Sequence, residues 1–139
     1  MKHTSKIICV GSAGWDFIGR TQIPMGNGSD VPGTIKIKIG GVATNIARNL
    51  TKNKAPNTDL DVILLSCIGN DPGSEILLEQ LENENVNCRH ILRAEGLSDS
   101  YVGIEAKGEL FGAVASSNLI NSHGTDIINQ FEQRSISKN

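Results

Sequence analysis

The chain has 139 residues, 38% of them apolar and 20% charged, with a net charge of −2 and both signs interspersed. That length suits one ordinary domain that buries roughly 70% of its unfolded surface. No basic stripe fits a nucleic acid and no apolar run approaches the ~20 residues of a bilayer span, so neither nucleic acid nor membrane is an expected partner. Cys9, Cys67 and Cys88 stand far apart without a C-x-x-C pair, and are expected to be buried free thiols of a reducing, cytoplasmic compartment.

Residues 6–10 are a short apolar run closed by Gly11, which predicts a buried strand. Residues 19–33 are rich in Gly, Pro, Asn and Ser and predict a loop with at most a short edge strand. Residues 34–39 alternate, with Ile35, Ile37 and Ile39 on one face and Lys36 and Lys38 on the other, as in a half-exposed antiparallel strand. After Gly40-Gly41 a helix is expected, with Val42, Ala43, Ile46, Ala47 and Leu50 as its apolar stripe. Residues 62–65 are apolar on both faces and predict a strand covered on both sides. A turn at 69–73 precedes a helix over 75–85, with Ser74 as its cap and Ile76, Leu77 and Leu81 inward. Residues 101–106 and 109–115 predict a hairpin turning at Lys107-Gly108. A short helix over 125–132, capped by Thr125 and burying Ile127, Ile128 and Phe131, ends the pattern before a polar, frayed tail. Strands alternating with helices argue for an α/β layered sheet. The alternating strand and the hairpin fit better as a separate small β-sheet, standing off one edge like a lid.

Two segments carry candidate chemistry. Gly40-Gly41 lets backbone amides approach a ligand, the helix N-terminus behind it favours oxygen-rich groups, and the amide of Asn45 donates and accepts at once, as sugar hydroxyls require. The same residues also suit a tight strand-to-helix turn with Asn45 solvated. Asp16 follows the first strand by a short glycine-containing stretch, where open α/β sheets bind ligands; its carboxylate suits a vicinal diol, or forms the turn itself. Gly11 and Gly14 do not have dinucleotide-motif spacing, no P-loop is present, and His3, His90 and His123 are scattered, so no metal site or His-based triad is expected.

Gly40, Gly41, Asn45, Ala47 and Leu50 fall in register with the G-G-x-x-x-N-x-A-x-x-L signature of PfkB-family carbohydrate and nucleoside kinases, and the chain resembles the N-terminal part of that family. The preceding P-G-x-I-K run and Ser100-Tyr101 look most like its pseudouridine kinase branch. The resemblance implies a ribokinase-like layered α/β sheet, incomplete here, with lid strands roughly within 20–39 and 99–115. It implies a sugar or nucleoside substrate held by Asp16, Gly40, Gly41 and Asn45 and covered by Ser100 and Tyr101. It also implies ATP and Mg2+ as cofactors of the complete enzyme and a lid that can pair in a homodimer. The chain departs from the family in having no G-A-G-D motif, which carries the phosphate-binding glycines and the base. The family's G-x-D-x-x-G turn is one residue short at Gly69 to Gly73, and Ser116-Ser117 stands where pseudouridine kinases tend to carry an acid. The expectation is therefore a substrate-binding half, inactive alone, whose ATP-binding C-terminal half is absent or separately encoded. A non-catalytic sugar- or nucleoside-binding module and a lid-mediated association module remain the alternatives.

Overall fold

The computed structural model describes residues 4–136, and in it the chain runs β1 (Ser5–Val10), β2 (Gly14–Thr21), β3 (Thr34–Gly40), α1 (Val42–Asn53), β4 (Leu60–Leu65), β5 (Cys67–Ile68), α2 (Gly73–Asn83), β6 (Leu92–Arg93), β7 (Asp99–Ala106), β8 (Glu109–Ser116) and α3 (Asn118–Ile136). This is the expected α/β class, divided into a body and a lid.

In the body, β1 and β4 pair in parallel from Ser5 opposite Leu60 to Val10 opposite Leu65. The next position in the sheet is broken: Asn87 bridges Ile63, and the chain rejoins as β6 beside β5. Val62 and Leu64 pack on one side with Ala43 and Ala47 of α1 and Leu77 and Leu81 of α2. Ile63 and Leu65 pack on the other with Leu119 and Ile127 of α3. The apolar run 62–65 is thus covered on both faces, as its lack of alternation predicts. Residues 6–10 depart from expectation. Only Cys9 is buried, while Ile7, Ile8 and Val10 are exposed, Val10 by 54%. The reason is position: among the described residues β1 pairs only with β4, so its other edge and much of both faces stay open.

The lid is one four-stranded sheet in the order β3-β2-β7-β8. β2 was not expected as a strand, and the lid therefore begins at Gly14 rather than near residue 20. Trp15 and Phe17 alternate with Asp16 and Ile18, but Gly14 and Gly19 dilute the pattern. Neighbours on both sides hold the segment extended, β3 antiparallel and β7 parallel. The β7–β8 hairpin turns where predicted, with Lys107 and Gly108 both at positive φ, 53° and 84°. A register shift between Ile104 and Glu105 leaves Phe111 without a counterpart on β7, a bulge that bends the outgoing strand.

The helices correct the expected stripes. α1 buries Ala43, Thr44, Ala47 and Thr51, small residues that allow close approach to β4, whereas Val42 and Ile46 are exposed. α2 buries Leu77 and Leu81 but exposes Ile76. Its first turn is held by Asp71 rather than Ser74: the Gly73 N–H donates to Asp71 Oδ1 at 3.0 Å, while Ser74 is buried with its Oγ 2.8 Å from the Gly69 carbonyl. α3 starts at Asn118, not Thr125, and carries Gly124 in its interior. A mid-helix glycine costs about 1 kcal/mol. Docking of Leu119 and Ile127 against β5 offsets it, and Ile128 is turned outward. Residues 137–139 of the expected tail lie outside the described residues. No helix among the described residues is long and apolar enough to cross a membrane.

Candidate functional site

Where the lid roots in the body, a cleft of about 390 Å³ opens against the N-terminus of α1. Asp16, Gly40, Gly41, Asn45, Ser100 and Tyr101 all line it. Asp16 reaches it by a different route from the one expected: it lies within β2, opposite Lys38 of β3 and beside Tyr101 of β7. Its carboxylate is only 19% exposed, and Lys38 Nζ stands 3.9 Å away at the more open rim.

The two glycines have distinct steric reasons. A Cβ on Gly40 would overlap the Asp16 carboxylate, so this glycine is what lets the acid lie flat against β3. Gly41 has φ +99°, and a Cβ there would overlap the Ser12 carbonyl. Gly41 is also the N-cap of α1. Its carbonyl accepts from the Asn45 N–H at 2.9 Å, but no side chain caps the helix and its first turn has no acid. The leading amides of α1 are therefore without a side-chain partner at the cleft wall, next to the Asn45 amide, and supply donors and a partial positive charge. One acceptor pair, one bifunctional amide and a helix N-terminus converge on the same space, a set that suits a polyhydroxylated ligand.

The cleft is also lined by Ser12, Asp99, Ser116 and Ser117. Asp99 is not legible in the sequence, because Asp between two serines ahead of a hairpin carries no signal beyond turn formation. It is 2% exposed and accepts from Ser12 Oγ at 3.0 Å, the Leu119 N–H at 3.0 Å and the Ile120 N–H at 3.3 Å. Ser98, just before it, is gripped by the turn that precedes α2. Burial alone would raise the Asp71 carboxyl, but bonds from the Ser98 hydroxyl (2.6 Å), the Ser98 N–H (2.8 Å), Ser74 Oγ and the Gly73 N–H together hold it at about 2. Among the described residues no three His, Cys, Asp or Glu side chains gather as metal ligands would.

Residues 4–129 match the family described as pfkB family carbohydrate kinase. Pseudouridine kinase of Escherichia coli K12 is 31% identical over 126 residues, 88% of this chain and 38% of that protein. YeiI of the same organism, described as an uncharacterized sugar kinase, is 38% identical over 93 residues, 67% of this chain and 24% of that protein. Ribokinase from Giardia lamblia superposes with a TM-score of 0.65 and 25% identity over 82% of this chain and 33% of its own. The chain thus spans about a quarter to two fifths of the length of these curated relatives. With the signature glycines and Asn45 on one cleft beneath a β lid, and the match running through nearly all of the described residues, the chain belongs to the pfkB family of carbohydrate kinases.

Proposed function

We propose that this chain is the acceptor-binding side, lid included, of an ATP-dependent kinase that phosphorylates a hydroxyl of a sugar or of a pseudouridine-like nucleoside. The observation that carries this reading is the convergence of Asp16, Asn45 and the uncapped α1 N-terminus on one cleft. Asp16 accepts from a ribose diol, Asn45 and the α1 amides bond further oxygens, and Ser100 and Tyr101 cover the ligand from β7. The 31% identity to pseudouridine kinase over 88% of this chain supports including a nucleoside among the acceptors.

ATP and Mg2+ belong to the complete enzyme. The charged side chains lining the cleft are Asp16 and Asp99, and Lys38 at the rim stands against Asp16, an arrangement that favours hydroxyls over a polyphosphate. Those residues do not fit a nucleotide, and the sequence lacks G-A-G-D. The base and the phosphate-binding groups are assigned to a C-terminal half, continuous with this chain or separately encoded, that covers the open β1 edge at Ile8 and Val10. The 139 residues alone then bind acceptor without transferring phosphate. Three buried free thiols support a cytoplasmic compartment.

Titration of the chain with pseudouridine and with ribose by calorimetry tests the reading. Binding that Asp16→Asn weakens is expected. Heat from neither ligand would remove the acceptor role and leave the second reading, association through the lid. That reading is favoured by the outer lid face, where Ile35, Ile37, Val102 and Val114 are exposed, and light scattering for a dimer decides it.

A further inference from the structure

We propose that Asp99 is a positioning residue that pins the lid to the body and thereby sets the affinity of the cleft; its effect on ligand rests on the acceptor-binding reading above. The lid joins the body at four crossings: into β2 after Ser12, out of β3 at Gly41, into β7 at Asp99 and out of β8 at Ser117. Asp99 sits at the third. Its carboxylate reaches the first through Ser12 Oγ and the fourth through the Leu119 and Ile120 amides. The second is joined through Ser12 as well, whose carbonyl accepts from the buried Thr44 Oγ1 of α1 at 2.8 Å. One hydrogen-bonded chain therefore connects all four crossings, with Asp99 as its only charged member.

The placement of that charge distinguishes a pin from an ordinary helix cap. Ser117 occupies the N-cap of α3, since its carbonyl accepts from the Asn121 N–H at 3.1 Å, and the first turn of α3 holds no acid. A serine at the N-cap is among the side chains that commonly cap a helix locally. Here the carboxylate that serves the α3 amides comes from the lid strand β7, so capping of α3 depends on where the lid stands. A lid that swings away gives up the bonds to Ser12, Leu119 and Ile120 at once. Asp99 and Tyr101 lie on the same face of β7, and Tyr101 pairs with Asp16 on β2. Rotation at Asp99 therefore carries the two lid groups of the cleft away from Asn45, which belongs to the body.

The test uses the 139-residue chain with spin labels at Lys107→Cys, on the lid turn, and Asn53→Cys, at the exposed end of α1, alongside pseudouridine calorimetry and thermal melting. Asp99→Ser is expected to lengthen and broaden the label-to-label distance distribution. The apparent Kd should rise about tenfold if the competent lid position falls to about a tenth of the population. Adding Ser117→Asp restores a local acid at the α3 N-terminus. It should recover the melting temperature but not the distance distribution. If Asp99→Ser leaves the distribution unchanged, or if Ser117→Asp recovers it together with the melting temperature, Asp99 is only a helix cap and the proposal is overturned. Should Asp99→Ser not fold, Asp99→Asn, which keeps the size and one acceptor oxygen, carries the same comparison. A wild-type chain that ignores pseudouridine sinks the ligand assignment, while the distance distributions still decide the pin.

Discussion

Residues 62–65 of β4 and residues 35–39 of β3 both carry branched apolar side chains, yet the first are sealed from water while Ile35 and Ile37 stay 76% and 61% exposed. β4 has β1 on one side, the Asn87 bridge on the other and helices on both faces, so each of its side chains meets a partner. β3 is the edge of the lid, and among the described residues no helix packs Ile35 or Ile37 into a core. Only Ile39, where the strand enters the body, joins the core. The difference separates two kinds of apolar residue. Those of β4 contribute to stability through burial, whereas those of the lid contribute little to the fold and are available for association.

The largest expected effect lies in the body. Leu64→Ala should destabilise the chain by about 2–5 kcal/mol, because Leu64 is fully buried between α1 and α2. Ile37→Ala should change stability by less than about 0.5 kcal/mol. Paired urea melts check the contrast, and equal losses would mean that the lid face is covered in solution.

The cleft comes next. In a complete kinase carrying this half, Asp16→Asn should lower kcat/KM at least about tenfold, or ~1.4 kcal/mol. A deoxy acceptor should lose most of its penalty in that variant, since the interaction is already gone. Simple addition of the two losses would return Asp16 to the role of a strand residue paired with Lys38.

A smaller effect compares body and lid root through acid. Glu84 is held at about 2 chiefly by the paired bonds from Arg48, at 2.6 and 2.8 Å, joining the end of α2 to α1. Asp71 is likewise held at about 2, at the root of β7. Both carboxyls sit below their unfolded values of roughly 4, so their stabilisation is complete above about pH 4.5 and is lost as pH falls toward 2. The urea midpoint of the wild type should drop over that window. Glu84→Gln and Asp71→Asn should each flatten part of the drop, and a slope unaltered by both would remove the assignment. Smallest in stability but visible in mass is Ile37→Lys, which should disperse any lid-paired dimer in light scattering without altering the melt.

Local pattern determined a good part of this protein. The unbroken apolar run at 62–65, the Ile/Lys alternation of β3, the Lys107-Gly108 turn and the Gly40-Gly41-to-Asn45 signature are each short-range features with a short-range cause, and each lies where its pattern put it. What depended on neighbours distant in sequence was not legible. β2 is extended because strands on both sides hold it, β1 is exposed because its outer edge is open, Val42 and Ile46 face outward because the small residues Ala43, Thr44 and Ala47 make the closer contacts, and Ile76 and Ile128 face outward because Leu77, Leu81 and Ile127 fill the buried sides of their helices. Asp99 likewise depends on distant neighbours. A single aspartate between serines has no pattern to read, and its place among Ser12, Leu119 and Ile120 exists only once the lid has folded back onto the body. Periodicity reports which face of an element is apolar, but which face is covered, and which carboxylate is enclosed, is settled by the chain segments that arrive from elsewhere.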